Sequence, residues 1–241
     1  MIEAERTRAA LAAHWRILPV LLLLLLGACA GFVVNREKVQ GIRTIGIISI
    51  LPSTFHVQDI GLTVFGNDLK EFPIGAWGLD DYATGKARTL LSGRYDVRPV
   101  TYQRAALATV DAPSNLDIGE KIRPYISTQG LDAYVLLVGR GSQYMNTNQY
   151  VGGFGVVEHM NLNYSLFALY GVKLIDGHDF SFLGTSGAQG GPPLHGPNRR
   201  IDQSWWPKAL DAASNPQLKA AVIELIDQSM PSARGGVQLI D

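Results

Sequence analysis

The sequence predicts an α/β fold in which helices cover a single mixed sheet. Two uninterrupted apolar runs, at residues 43–51 and 132–139, are typical of strands buried on both faces. Segments of helical period follow the first run, and long antiparallel strands follow the second. The predicted order is β-β-α-β-α-β, then an antiparallel β-β-β run and C-terminal helices. With 46% hydrophobic and 17% charged residues, the composition excludes a disordered chain.

The first predicted strand, at residues 43–51, is rich in isoleucine. A second, shorter strand is predicted at residues 60–65. Apolar residues at helical spacing then predict a helix over residues 78–91, with Asp80 and Asp81 in its first turn. We interpret this acidic pair as a helix start rather than an acid/base pair, because the helix dipole favours anions there.

The middle of the chain alternates between strand and helix patterns. The predicted elements are a strand at 95–101, a broken helix at 116–127, a strand at 132–139, and antiparallel strands at 154–159, 163–175 and 178–183. Asp176 and Gly177 join the last two strands as a hairpin, since glycine adopts positive φ without cost. His178 with Asp176 and Asp179 could ligate a cation, but the Asp-Gly turn favours a solvated hairpin tip.

The C-terminal part is predicted to be helical. Residues 184–197 are rich in glycine and proline and predict a long loop, and a helix follows at 202–213. Asn215 and Pro216 then open a second helix that ends near residue 230. This helix carries one apolar stripe, formed by Leu218, Ala221, Val222, Leu225, Ile226 and Met230.

The N-terminus has the pattern of an export signal. Arg6, Arg8 and Arg16 precede an apolar run at residues 17–28, and the chain's single cysteine, Cys29, follows directly. The segment Leu26-Gly27-Ala28-Cys29 resembles the lipobox of bacterial lipoproteins. That resemblance implies cleavage before Cys29 and a diacylglyceryl group on its thiol. It divides the chain into a signal peptide (1–28), a lipidated cysteine with a polar tether (29–41) and one α/β domain (42–241).

Two alternatives remain open for this segment. Residues 17–34 carry no charge and are just long enough for an uncleaved membrane span of a structural envelope protein. Ala28-Cys29-Ala30 also fits an ordinary cleavage site that would release the protein. Each alternative places the domain outside the cytoplasm. In enteric lipoproteins an Asp after the cysteine retains the protein in the inner membrane, so Ala30 favours the outer membrane by the same resemblance.

The pattern of strands resembles a group of periplasmic α/β domains. The resemblance rests on the strands at residues 44–48, 131–138 and 172–177. It is to the amino-terminal domain of TolB, to the curli lipoprotein CsgG and to lipoproteins that activate peptidoglycan synthases. It implies an envelope protein as partner. The sequence departs from the pore-forming member, because its connections are too short for two membrane strands.

The composition and motifs exclude several functions. Basic and acidic residues balance at 21 each, so no positive excess indicates nucleic-acid binding. The dispersed histidines and the single cysteine match no metal-ligand spacing, and no nucleotide-binding or hydrolase motif occurs. We therefore expect no cofactor and no metal. The sequence favours a non-catalytic binding or assembly module, held to the periplasmic side of a membrane by lipid.

An envelope hydrolase is the alternative function. Ser53, His56 and Asp59 follow the first predicted strand, in what we interpret as a loop at its carboxyl end. Ligand sites in α/β sheets collect at such ends. Catalysis would need a hydrogen bond from Ser53 to His56, which proximity in sequence does not supply. Capping or turn roles for Ser53 and Asp59 are the competing interpretation.

The predicted partner surface is the uncharged segment at residues 144–154. It carries Tyr144, Tyr150 and Phe154 among amide side chains, with no charged residue between Gln143 and Val157. Aromatic residues are enriched and charges depleted at interface cores. The competing interpretation is that these aromatic rings fold back over the edge of the sheet.

Overall fold

The structure, a computed structural model, describes residues 32–33, 36–61, 66–110, 117–127, 130–145, 147–160, 163–187, 193–206, 211–236 and 239. The predicted signal peptide and Cys29 lie outside these residues. The chain divides into the units Met1–Ala30 and Gly31–Asp241. Within the described parts, no helix has the length and apolar character needed to cross a membrane.

One mixed sheet forms the body, which confirms the predicted α/β class. Its described strands are β1 (Phe32–Val33), β2 (Thr44–Ile50), β3 (Thr54–Ile60), β4 (Asp68–Pro73), β5 (Asp96–Arg98), β6 (Ala133–Gly139), β7 (Gly141–Gln143), β8 (Tyr150–His159), β9 (Asn163–Asp176), β10 (Phe182–Gly187) and β11 (Asn198–Ile201). The described helices are α1 (Arg36–Gly41), α2 (Leu79–Leu91), α3 (Arg104–Leu107), α4 (Ile118–Ile122) and α5 (Pro216–Gly236).

Strand β9 is the longest strand and runs through the whole sheet. On one side β6 pairs with its second half, and β8 pairs with its first half. The register passes from Gly139 opposite Tyr170 to Gly153 opposite Leu169, so β6 and β8 follow each other end to end. On the other side β10 and β11 divide β9 in the same way.

The strands that pair with β6 and β8 also follow each other end to end, at the same point along the sheet. β2 pairs in parallel with β6, and β3 pairs in parallel with β8. Between β2 and β3, Pro52 packs against the end of β6 and against β8. A Cβ atom on Gly139 would lie 2.5 Å from Pro52 Cγ, and one on Gly153, whose φ is +65°, would lie 3.0 Å from it. We call this level, defined by Pro52, Gly139 and Gly153, the joint.

Helices cover the two faces of the β2–β6 part of the sheet. Helices α2 and α5 pack on one face, with Ala83, Leu91 and Val222 in its core. Helices α3 and α4 lie on the other face, over Ile48 and Leu136. Strand β2 has β5 and β6 as parallel neighbours, and the chain reaches β5 through α2 and β6 through α3 and α4. The carboxyl end of β2 is therefore a topological switch point.

The structure differs from the prediction at the N-terminal boundary of the domain. Residues 36–41, predicted as part of a tether, form α1, and Val39 and Ile42 are buried in the core. Phe32 and Val33 pair with β10. The compact unit thus begins at Gly31, not at residue 42.

The second predicted strand is misplaced. Residues 54–60 form β3, whereas residues 62–65 of the predicted strand lie outside the described part. Phe55 and Val57 are buried and alternate with polar side chains, a pattern of period two that distinguishes β3 from a loop.

The predicted loop at 184–197 and helix at 202–213 are also revised. β10 extends to Gly187, and β11 begins at Asn198. Within the predicted helix, residues 205–206 are helical, residues 207–210 are not described, and Ala212–Ser214 forms a single 3₁₀ turn. β11 is held by its pairing with β9, a contact that local sequence does not encode.

The hairpin between β9 and β10 is confirmed, but its glycine acts differently. Positive φ occurs at Phe180, at 61°, and not at Gly177. A Cβ atom on Gly177 would lie 1.9 Å from the carbonyl oxygen of Leu131. Gly177 is therefore needed for close approach of two backbones, and β10 starts at Phe182 rather than at residue 178.

The last helix confirms the predicted cap and stripe. Asn215 Oδ1 accepts hydrogen bonds from the amides of Gln217 and Leu218, at 2.9 and 3.2 Å. The stripe residues are all buried. In addition, the Tyr170 hydroxyl on β9 lies 2.9 Å from Ser229 Oγ on α5, which ties this helix to the middle of the sheet.

Leu225→Ala should therefore lower the free energy of unfolding by about 2 to 5 kcal/mol, because it opens a cavity between α5 and the sheet. Urea unfolding of the purified protein measures this loss. Lys219→Ala, which truncates a side chain off the stripe, is the control and should have almost no effect. Small and equal losses in both variants would show that α5 is peripheral.

Candidate functional site

A crevice of roughly 330 Å³ opens at the carboxyl end of β2, at the switch point. Its walls come from the β2–β3 connection, the turn before α2, the first turn of α2, and α3. The lining residues are Leu51, Pro52, Ser53, Ile74, Gly75, Gly78, Leu79, Asp80, Asp81 and Arg104. Ligand sites in open α/β sheets occupy this position, so the crevice is the candidate binding site of the fold.

Asp80 is the central polar residue of the crevice. One carboxylate oxygen accepts hydrogen bonds from Ser49 Oγ and from the Leu51 amide, both at 2.8 Å. The other accepts a hydrogen bond from Arg104 Nε. Asp80 thus joins the end of β2 to the starts of α2 and α3. The prediction that it opens a helix is confirmed, and its partners add a second role in holding the crevice together.

Arg104 completes this arrangement. Its Nη2 atom donates a hydrogen bond of 3.0 Å to the carbonyl oxygen of Leu51, while Nε pairs with Asp80. The opposite charges of Asp80 and Arg104 neutralise each other. Both carboxylate oxygens of Asp80 already accept hydrogen bonds from groups of the fold. The crevice is suited to hold a small or partly apolar group.

The prediction that Ser53, His56 and Asp59 lie together in a loop is wrong. Ser53 lines the crevice, but His56 and Asp59 lie on β3. His56 Nδ1 donates a hydrogen bond of 2.8 Å to the Gly152 carbonyl oxygen, and Nε2 lies 3.3 Å from Glu71 Oε1. Both ring nitrogens therefore face groups other than Ser53. The geometry does not bring a serine and its base together here.

The predicted partner surface is only partly exposed. Tyr144 and Phe154 are fully buried, because the chain folds back over the sheet; the Tyr144 ring packs edge-on against His159. They form no surface, which corrects the prediction for these two residues. Tyr150 is 70% exposed, and Met145, close to it in the β7–β8 hairpin, is 50% exposed. The exposed part of this surface is thus Met145 and Tyr150.

The acidic turn after β9 pairs with a lysine. Asp176 Oδ1 accepts hydrogen bonds from the amides of His178 and Asp179, as expected of a hairpin tip. Lys38 Nζ on α1 lies 3.0 Å from Asp176 Oδ2 and 2.7 Å from Asp179 Oδ2. The lysine supplies the positive charge that a cation would have supplied. In the described parts of the chain, no group of three His, Cys, Asp or Glu side chains could hold a metal ion.

This pairing changes the pKa of both partners. Hydrogen bonds from Lys38 and then from Ser181 hold the pKa of Asp179 well below its usual range. The hydrogen bonds to Asp179 and Asp176 raise the pKa of Lys38. Both shifts favour the charged forms, so the pair helps to fix α1 to the β9–β10 turn near neutral pH.

Sequence analysis missed Arg104 and Lys38. For Arg104 a signal existed, since it lies just after the strand predicted at residues 95–101, and groups at the carboxyl ends of adjacent parallel strands meet at one edge. For Lys38 there was none, because the residue lay in a segment interpreted as a tether and its partners are distant in sequence.

No family model and no curated protein matches this chain. Solved structures are similar to it in part. A Neisseria meningitidis lipoprotein is 14% identical with a TM-score of 0.30, and the alignment covers 79% of this chain and 99% of that chain. The PelC dodecamer from Paraburkholderia phytofirmans is 12% identical with a TM-score of 0.32, and the alignment covers 88% of this chain and 95% of that chain. A Xanthomonas campestris protein of the DUF330 family is 9% identical with a TM-score of 0.32, and the alignment covers 82% of this chain and 88% of that chain. These scores carry no argument about function, and the resemblance to TolB and CsgG stays a prediction.

Asp80→Ala should lower the free energy of unfolding by about 2 to 3 kcal/mol, because it leaves the Leu51 amide and Arg104 without their acceptor. Chemical denaturation measures the loss. Asp81→Ala is the matched control: it removes a neighbouring first-turn carboxylate that is exposed, and should cost about 0.3 to 1 kcal/mol through the helix dipole alone. Equal losses in the two variants would contradict a special role for Asp80.

Lys38→Gln should lower the thermal midpoint at pH 7 by about 1 to 3 °C, since exposed ion pairs contribute little. The depressed pKa of Asp179 gives stability that is present above the ordinary carboxyl pKa of about 3.9 and is lost as the pH falls further. The difference between wild type and variant should therefore shrink in thermal scans as the pH falls from about 4 to about 2. A difference that stays constant over this range would mean that packing of the lysine stem, and not charge, stabilises α1.

Proposed function

We propose that the chain is a bacterial envelope lipoprotein, held by lipid on Cys29 and facing the periplasm, that acts as a non-catalytic binding or assembly module. The outer membrane is favoured because residue 30 is Ala. The proposal combines the lipobox at residues 26–29 with a compact domain that begins directly after it. Its partner is a protein of the envelope.

The position of β1 carries the lipoprotein part of the proposal. The compact unit begins at Gly31, two residues after Cys29, and β1 already pairs with β10 at Phe32. Cleavage before Cys29 would therefore leave every described element in place. Several acyl chains on one cysteine anchor a protein firmly, whereas a single chain does so only marginally.

Two features favour binding over catalysis. The polar groups of the crevice, above all Asp80 and Arg104, are bonded to one another and to the ends of strands, and His56 is turned to groups other than Ser53. Met145 and Tyr150 meanwhile expose apolar surface on a hairpin carried by the sheet. Aromatic residues and methionine at such positions are enriched in protein interfaces.

Cys29→Ser should block lipidation and leave an unprocessed precursor, because the thiol is the acyl acceptor. Intact-mass spectrometry of the full-length protein, purified from membranes, distinguishes the forms. Ala30→Ser keeps the cysteine and is the matched control, which should retain the lipid. A wild-type mass without acyl chains, or a chain that still begins near Met1, would refute the lipoprotein.

A photo-reactive phenylalanine analogue in place of Tyr150 should crosslink to one defined envelope protein in living cells, because that side chain is exposed on the hairpin. The same analogue in place of Leu69, which is 52% exposed on β4, is the control and should give no such product. Crosslinked species are separated by mass and identified by peptide sequencing. The same products from both positions, or none from position 150, would reject the hairpin as the interface.

A further inference from the structure

A basic region lies on the α3–α4 face of the sheet, where Ile50 and Val138 are only partly buried. Lys173 of β9 is opposite Leu136 in the register and shares this face, since Leu136 and Ile175 pack in the core on the same side. The lysine is half-buried, and this burial lowers the pKa of its ammonium group.

Arg140 extends the same region beyond the end of β6. Its guanidinium group lies over Gly187, where a Cβ atom would be 1.6 Å from Nη1. Gly187 is opposite Gly171 in the register, and Gly171 is two residues from Lys173 on the same face of β9. The two glycines thus leave a shallow surface on which the exposed Arg140 side chain rests, on the same face of the sheet as Lys173.

Within the described part of the chain, the two cations have no acidic partner in an ion pair. Among the described residues, neither Lys173 nor Arg140 takes part in an ion pair. The segments 29–35 and 188–192, which adjoin β1 and β10 in sequence, contain no Asp or Glu. A half-buried amine with no carboxylate partner is costly unless an anion from outside the fold approaches it.

The attachment of the chain points to the source of that anion. β1 runs antiparallel to β10 with Phe32 opposite Thr185, so the chain enters β1 from the end of β10 at which Gly187 lies. Cys29 is three residues before Phe32, and three extended residues span at most about 11 Å. The proposed acyl chains are therefore separated by only these three residues from Phe32, which lies beside the end of β10 that carries Gly187.

We propose that Lys173 and Arg140 bind the headgroups of anionic phospholipids and so orient this face of the sheet toward the membrane. This rests on the proposed function, since the lipid at Cys29 brings the face to the bilayer. Headgroup phosphates match both side chains, because the guanidinium binds a phosphate bidentately and the ammonium acts as a point charge.

The test is lysine acetylation of the full-length protein in nanodiscs of phosphatidylcholine alone or with one-third phosphatidylglycerol. One basic residue near an anionic membrane changes the binding constant for that membrane about fivefold. We therefore expect Lys173 to be acetylated about fivefold more slowly in the anionic discs. Lys70 on β4, which is exposed, is the internal control and should react equally in both. Peptide mass spectrometry reads each lysine separately.

Arg140→Gln should remove most of the protection of Lys173 in anionic discs. Arg88→Gln, an exposed arginine on α2 at the opposite face of the sheet, should leave it unchanged. Equal acetylation of Lys173 in neutral and anionic discs, or protection that Arg88→Gln also abolishes, would overturn the proposal. The protein is held in the disc either by the lipid on Cys29 or by an uncleaved membrane span. The intact mass of the protein from the same sample shows which of the two anchors is present. A failure of headgroup binding is thereby distinguished from a failure of the lipoprotein assignment.

Discussion

The fold depends on one unbroken strand, β9. Its residues Asn163–Asp176 are almost entirely buried, and they supply the pairing edge for β6, β8, β10 and β11. β2 and β6 end close to the joint, and β3 begins there. Without β9 the parallel part, β5-β2-β6, and the part formed by β4, β3 and β8 would share no continuous hydrogen-bonded ladder, so the two parts become one sheet through this strand.

Two contacts hold the middle of β9. At the joint, Pro52 fills the space that side chains at Gly139 and Gly153 would occupy. From the helix face, the buried Tyr170 hydroxyl bonds to Ser229 of α5, and desolvation raises the pKa of this tyrosine so that it stays neutral. The crevice lies beside this level because β2 ends there, and the basic region lies there because β6 and β10 end there. A single structural discontinuity thus produces both the crevice and the basic region.

The sequence predicted the elements whose burial alone determines them. The apolar runs of β6 and β9 admit no other interpretation, and the period of 3.6 in α2 and α5 was long enough to be decisive. β4 and β11 could not be predicted, since four of six β4 residues are Asp, Lys, Glu and Pro, and β11 contains two arginines. Edge strands carry such charges because their outer groups face solvent. These strands exist because β3 and β9 offer them partners.

The candidate site was predictable in position but not in composition. A crevice at the carboxyl end of the first parallel strand follows from the α/β class. The pairing of Asp80 with Ser49, Leu51 and Arg104 depends on three connections of different length, which residue types alone do not specify. Tyr144 and Tyr150 show the same limit. The two are identical in type, yet Tyr144 is buried by a bridge to Leu194 and by packing against His159, partners that are distant in sequence, whereas Tyr150 is exposed.

Native-state hydrogen exchange tests the central role of β9 most directly. Strands β6 and β8 both form backbone hydrogen bonds with this strand. Their amides should therefore exchange with the same free energy and the same dependence on denaturant, as expected of one cooperative unit. Mass spectrometry of peptides from residues 133–139, 150–159 and 163–176 measures the three segments in one experiment. If the β8 peptide exchanges through a separate opening of lower free energy while the β6 peptide stays protected, the two parts of the sheet are independent and this account of the fold is wrong.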